Sequence, residues 1–406
     1  MKIIRKILKW IGILLFLLIL VFNLFILCTG RFYLYSGIAD TYLRGRTTPA
    51  IDEYYHFENR TIQTGAPQEW PDAKDYNSKQ LSATMEENNK RLGTVAYLVI
   101  RNDSLRFEKY YDRFKDSSRV NSFSMGKTFV SIMVGIAIDE GKIKSVDQPV
   151  GDFIPEFKTG DNARLTIRHL LTMSSGINFD EDYVNPLAFP AQAYYGTELE
   201  KLLYKYKVTA EPGKVFKYLS GNSAILGIVL ERATGKHISD YASEKLWKPM
   251  GATMPAFWSL DHKDGLEKAY CCFNSNARDF ARFGQLYLDS GRWHRKQLVS
   301  EAYVKQSVKL AGLVDDDGKP NLRYGYSWWI LPEYKGHSIF YARGIKGQYI
   351  IVIPDQKMVI VRLGQKREVE KRNDHPVDLF SYIDEALDLC KAEAATDTKP
   401  NPNTPK

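Results

Sequence analysis

Residues 10–28 (WIGILLFLLILVFNLFILC) form an unbroken apolar run of nineteen residues, with no charge and with Asn23 as the one strongly polar member. About 20 apolar residues cross a bilayer as a helix, whereas a secretory h-region runs ~7–15 residues and ends at small side chains. This run ends at Leu27-Cys28-Thr29 with no A-x-A site, and Leu27 is not the small residue expected before a lipidated cysteine. A buried core helix is the alternative, and the terminal position and basic flank argue against it. Lys2, Arg5, Lys6 and Lys9 precede the run and few cations follow at once, so the positive-inside rule puts the N-terminus in the cytoplasm. We expect a basic cytoplasmic segment over 1–9 and a transmembrane signal anchor over 10–29. The lipid bilayer is then a partner through residues 10–28, with a single pass through a bacterial inner membrane and an extracytoplasmic (periplasmic) remainder.

Of the net charge of +8, four units belong to those cations, so the rest carries 8 − 4 = +4, an ordinary solubility balance. No nucleic-acid partner is expected from it. With 44% hydrophobic and 26% charged residues, the chain can bury a sizeable core, which excludes disordered and collagen-like classes. The four cysteines, Cys28, Cys271, Cys272 and Cys390, contain no C-x-x-C pair. Adjacent Cys271-Cys272 is a poor geometry for a disulfide or for zinc, so cysteine usage leaves the redox compartment open.

Residues 30–75 lack a sustained period and read as a linker or packing arm. A helix is expected over 77–92, two strands over 93–101 and 104–111 joined at Asn102-Asp103, and a fully buried helix over 124–140, nearly all apolar after Lys127. Thr166 resembles an N-cap for IRHLLTM, and His169 there is read as structural. Further helices are expected at about 222–234, 277–290 and 376–392, and late strands in YGYSWWI, HSIFYAR, GQYIIVIP and KMVIVRLG. β-Rich ends thus flank a helical middle, and the tail 394–406 reads as disordered.

Ser124-Met125-Gly126-Lys127 is the only Ser-x-x-Lys in the chain, and it opens the most apolar helix outside the anchor. Positions i and i+3 share a helix face, so the lysine can approach the serine hydroxyl. Burial lowers a lysine's pKa and suits it to act as a base. A helix start also leaves N–H groups unpaired, and that of Ser124 can help bind an oxyanion. The bland alternative is an N-cap serine with a solvated lysine. Two decoys are set aside. Gly126-Lys127-Thr128 lacks the glycine that a phosphate loop needs at 121, where Asn121 stands. Lys158-Thr159-Gly160 is a literal K-T-G in a loop, too soon after the nucleophile.

Together with LTIRHLLTMSSGINFDEDY, PGKVFKYLSGNSAILGIVLERATG, ARDFARFGQLYLDSGRW and YARGIKGQYIIVIP, the Ser124 block resembles the serine β-lactamase and penicillin-binding protein superfamily over about 75–392. The resemblance is nearest to its class C-like branch of esterases and 6-aminohexanoate-dimer hydrolases. It implies an α+β, β-lactamase/transpeptidase-like fold over 76–393: an antiparallel five-stranded sheet flanked by helices, plus an all-helical lobe.

The same resemblance implies a second motif, Tyr-x-Asn or Ser-x-Asn. Tyr183-Val184-Asn185 and Ser220-Gly221-Asn222 match literally, while Tyr218-Leu219-Ser220 is inexact but falls where the family carries its tyrosine. Tyr218 is preferred as the proton relay. Tyr183 becomes a substrate contact in a loop over the site, with Ser220 and Asn222 as further substrate-binding candidates. The third motif departs: where relatives carry Lys-Thr-Gly or His-x-Gly, the strand reads Ala342-Arg343-Gly344. Arg343 is a substitute cation, although adjacent strand residues point to opposite faces. Gly344 permits close approach, and the N–H of Ile345 would be the second oxyanion donor. Trp328 and Trp329 alternate faces, so one lines the cleft; Trp328 is carried as the candidate.

The expected activity is hydrolysis of a small-molecule or peptide-like amide or ester through an acyl-enzyme, with Ser124, Lys127 and Tyr218 catalytic and no cofactor or metal. Rivals are a D,D-carboxypeptidase or β-lactamase acting on peptidoglycan-like substrates, and a non-catalytic sensor of cell-wall fragments.

Overall fold

The computed structural model describes residues 1–391; the expected disordered tail 394–406 lies outside the described residues. The apolar run forms helix α1 (Lys2–Thr29), which continues back through the basic residues and ends at Gly30, whose φ of 66° is left-handed. Its mean hydropathy reaches 3.1, and it is long and apolar enough to cross a membrane. Ile26 is its one buried residue. Helix α2 (Tyr33–Asp40) follows. Within the arm, Ile51 and Ile62 are buried in the main core, and Asn59–Ile62 pairs antiparallel with Ala256–Ser259 in a small four-stranded sheet.

Helix α3 (Ala83–Arg91) is shorter than expected, because Ser82 caps it by accepting from the Met85 N–H at 3.1 Å. Strands β1 (Thr94–Arg101) and β2 (Ser104–Tyr110) form a hairpin. Asn102 and Asp103 both take positive φ, 50° and 60°, as a two-residue turn with the right twist demands. With β3 (Trp329–Tyr334), β4 (His337–Gly344), β5 (Gln348–Ile353) and β6 (Met358–Gly364) they make one antiparallel sheet in the order β2-β1-β6-β5-β4-β3. It has six strands, one more than expected. The expected strand YGYSWWI begins only at Trp329, because Ser327 turns the chain at φ 58°.

Strand alternation divides the core in two. Leu98, Ile350, Val352, Val359 and Val361 face one helical layer, which includes α4 (Met125–Asp139). Tyr97, Tyr349, Ile351 and Ile360 face the other, with α3 and the closing helix Val377–Leu389. Both faces are covered, so the central strands read as continuous apolar runs. The helical lobe contains Ile167–Leu171, Phe189–Tyr195, Leu199–Leu203 and α5 (Ser220–Thr234), which is buried from Ser220 to Leu230. The Ser124 helix is gripped between this lobe and the sheet.

Candidate active site

Ser124 is the N-cap residue of α4, so its side chain stands where the chain enters the buried helix. Phe123 before it is held at φ 43°, a conformation costly for a non-glycine residue, with its N–H bonded to Asn121 Oδ1 at 2.8 Å. One turn on, Lys127 is 1% exposed. Its Nζ donates to Ser124 Oγ and to the Tyr270 carbonyl, each at 2.9 Å. Among the described residues, its hydrogen-bond partners include no carboxylate. An amine in such a pocket is held directly against the hydroxyl it would deprotonate. Among the described residues, no protein acceptor takes the Ser124 N–H.

Tyr218 borders the same pocket. Lys127 Nζ lies 5.1 Å from the centre of its ring. The ring packs on Trp329, with centroids 5.3 Å apart, and edge-on to Tyr324 at 6.0 Å. Two residues later Ser220 opens α5. Its N–H donates to Glu181 Oε2 at 2.9 Å, and its hydroxyl lies 3.0 Å from the Tyr183 hydroxyl, which donates to Glu181 Oε1 at 2.9 Å. The loop carrying Tyr183 is thereby pinned across the start of α5. Glu181, which does this, carried no recognisable signal in the sequence.

The structure places other candidates differently. Trp328 is fully buried between Tyr287 and Phe340, at 4.5 and 5.1 Å, so it packs in the core; Trp329 is the tryptophan beside Tyr218. The positive φ of Ser327 sets this phase. Asn222 is also fully buried, touching Met173 Sδ at 3.5 Å. Ser220 is 2% exposed and engaged by Tyr183. Arg343 is held by stacking: its guanidinium lies 3.4 Å from the centre of the Trp329 ring, the ring that also packs on Tyr218. Gly344 is dictated by packing, since a Cβ there would lie 2.4 Å from the Ser122 carbonyl. This brings the start of the Ile345 turn against the segment that carries Ser124.

Cys271 and Cys272, read from sequence as poorly placed to bond, form a disulfide. Cys272 takes φ 68°, and the Cys271 carbonyl accepts from Trp258 Nε1 at 2.9 Å. The pair follows directly on Tyr270, whose carbonyl holds Lys127. Gly126 is explained by the same contact, because a Cβ there would lie 3.1 Å from the Cys271 carbonyl. Tyr270 was invisible in the sequence, since it acts through its backbone.

Lys158-Thr159-Gly160 is exposed. His169 Nδ1 accepts from the Thr166 N–H at 3.2 Å, capping its own helix. Among the described residues, Glu231, His237 and Glu267 bring ligand atoms within 4.8 Å of one another. Glu231 sits eleven residues along α5 from Ser220, about 16 Å away. Other groups already engage them: Glu231 Oε1 lies 3.1 Å from His237 Nδ1, and Glu267 pairs with Arg60 at 2.7 Å.

A beta-lactamase family model matches residues 79–380. The 6-aminohexanoate-dimer hydrolase of Paenarthrobacter ureafaciens is 28% identical over 324 residues, covering 74% of this chain and 80% of that protein. A Bacillus anthracis structure provisionally assigned as a 6-aminohexanoate-dimer hydrolase superposes with a TM-score of 0.71 at 25% identity, over 84% of this chain and 93% of that one. A family VIII carboxylesterase superposes with a TM-score of 0.61 over 75% of this chain and 95% of its own; at 15% identity it shares the fold alone.

Proposed function

The chain belongs to the beta-lactamase family of serine hydrolases, and on that premise we propose that it is a membrane-anchored, extracytoplasmic enzyme cleaving an amide or ester through an acyl-enzyme. The observation that carries the reading is the 2.9 Å contact between Lys127 Nζ and Ser124 Oγ, in a pocket where no carboxylate among the described residues bonds the amine. Lys127 removes the serine proton as Oγ attacks the substrate carbonyl. The N–H groups of Ser124 and Ile345 receive the oxyanion. Tyr218 passes the proton to the leaving amine or alcohol, and Tyr183 contacts the substrate from above. Water then enters by the reverse route and releases the acid.

The relative named for hydrolysing a 6-aminohexanoate dimer supports an amide as substrate. The strand motif Ala342-Arg343-Gly344, which departs from Lys-Thr-Gly, weighs against a β-lactam as substrate. For topology, α1 supports a span, its preceding cations support an N-terminus in the cytoplasm, and the Cys271–Cys272 disulfide supports an oxidising compartment for the rest.

Labelling with a fluorophosphonate and a fluorescent penicillin side by side tests the chemistry. We expect a fluorophosphonate adduct on the wild type and none on Ser124→Ala. Penicillin labelling at Ser124 would favour the carboxypeptidase or β-lactamase reading. Labelling by neither probe would leave a binding protein.

A further inference from the structure

The outer end of the anchor is not separated from the catalytic domain by a spacer. Asn23, the single strongly polar residue of the apolar run, accepts the Tyr35 hydroxyl at 2.6 Å. It lies six residues before the end of α1, about 9 Å deeper along the helix axis. Helix α2 therefore folds back beside the last turns of α1, where Ile26 is fully buried. The residues after α1 also grip the loop over the active site. Tyr33 donates to the Pro186 carbonyl at 3.0 Å and Arg31 to the Leu187 carbonyl at 3.3 Å. Gly37 sits so close to the helix after that loop that a Cβ would lie 3.2 Å from the Tyr195 ring.

This loop is the one whose Tyr183 reaches Ser220 beside Tyr218. It also presents apolar side chains outward: Val184 is 91% exposed and Leu187 is exposed. Phe32 and Tyr35, from the segment that grips it, are exposed as well. Aromatic and aliphatic groups next to a span suit the boundary of headgroups and acyl chains.

We infer that the active site opens at the membrane surface and that its substrate is an amphiphile resident in the outer leaflet, a long-chain acyl amide or ester. The inference rests on the proposed anchored hydrolase and names its substrate class. The apolar chain stays against the bilayer and the Val184–Leu187 loop while the carbonyl reaches Ser124. Oγ bonds to the acyl carbon, the bond to the amine or alcohol breaks, and that group leaves with the serine proton. Water then releases the fatty acid and restores the hydroxyl.

The test compares hexadecanoyl and butanoyl esters of one chromogenic alcohol on the purified full chain in phosphatidylethanolamine–phosphatidylglycerol nanodiscs. The variant Val184→Ser/Leu187→Ser removes the apolar surface without touching catalytic groups. We expect the long chain to be preferred in kcat/KM. In the variant that preference should fall by about tenfold or more while the butanoyl rate stays within about twofold. Equal rates for the two esters, or a preference untouched in the variant, would overturn the inference while leaving a working hydrolase. No turnover of either ester together with no fluorophosphonate adduct would instead overturn the hydrolase reading beneath it. Retained butanoyl turnover establishes that the variant is folded.

Discussion

At the residue scale the proposed reaction depends on how a lysine and a serine one turn apart share a proton. Lys127→Ala should lower kcat by about 10²–10⁴-fold, the usual cost of removing a positioned base, and steady-state rates will check it. Tyr218→Phe keeps the ring that packs on Trp329 and removes only the hydroxyl, so kcat should fall for esters and amides alike. Tyr183→Phe should change the two substrate classes unequally, as a substrate contact would. The reverse pattern, read as transition-state free energies, would make Tyr183-Val184-Asn185 the working second motif. The disulfide gives a further prediction at this scale. Because Cys271 follows the carbonyl that holds Lys127, reduction should free that carbonyl and lower kcat with little change in KM. Dithiothreitol titration of the wild type and of Cys271→Ser/Cys272→Ser measures this, and the variant should show the lower rate without reductant. Ser124 and Lys127 were legible because side-chain chemistry at fixed helical spacing survives in a one-dimensional string. Tyr270 and the cysteine bond were not, because a backbone acceptor carries no residue signature and a bond between neighbours depends on the local turn.

At the element scale, the segment that delivers Tyr270 carries a cost. Lys268, two residues earlier, is 1% exposed, with Nζ donating to the Tyr194 carbonyl at 2.7 Å and lying 3.9 Å from the centre of the Phe57 ring. Burial pulls its pKa down to about 7, and the charge of Asp261 restores only part of the difference. Between about pH 7 and the unfolded lysine pKa, the unfolded chain holds a proton that the folded chain lacks, so this group makes stability rise with pH. The slope it contributes is at most about 1.4 kcal/mol per pH unit, and below pH 7 its penalty is constant. Urea melts of wild type and Lys268→Met from pH 6.5 to 9 should show a stability difference that favours the variant most at the acid end and shrinks as pH rises. A pH-independent difference would mean that Lys268 is charged throughout. Element types followed from period and turn chemistry, as with the Asn102-Asp103 hairpin and the apolar α4. Their limits moved where a cap or a positive φ intervened, at Ser82 before α3 and at Ser327 before β3.

For the whole molecule, the expected topology puts everything after α1 on the far side of the membrane from its cations. A C-terminal alkaline phosphatase fusion should therefore be active, and a cytoplasmic reporter at the same junction should be silent; the opposite pair of results would invert the topology. The apolar N-terminal helix, the Ser124 helix and the order of β-rich and helical regions could be read from residue order alone. Each rests on local physics: uninterrupted hydropathy, helical spacing, and turns chosen by φ. Distant segments brought into contact decided the remainder. Whether Trp328 or Trp329 faces Tyr218 depends on the phase at which β3 joins the sheet, which a single left-handed residue resets. The sixth strand, the bonding of Glu181 to Ser220 and the docking of Arg31 and Tyr33 on the active-site loop join positions far apart in the chain. No period or spacing encodes such contacts, because each arises only when separately formed elements close on one another and must satisfy their buried polar groups together.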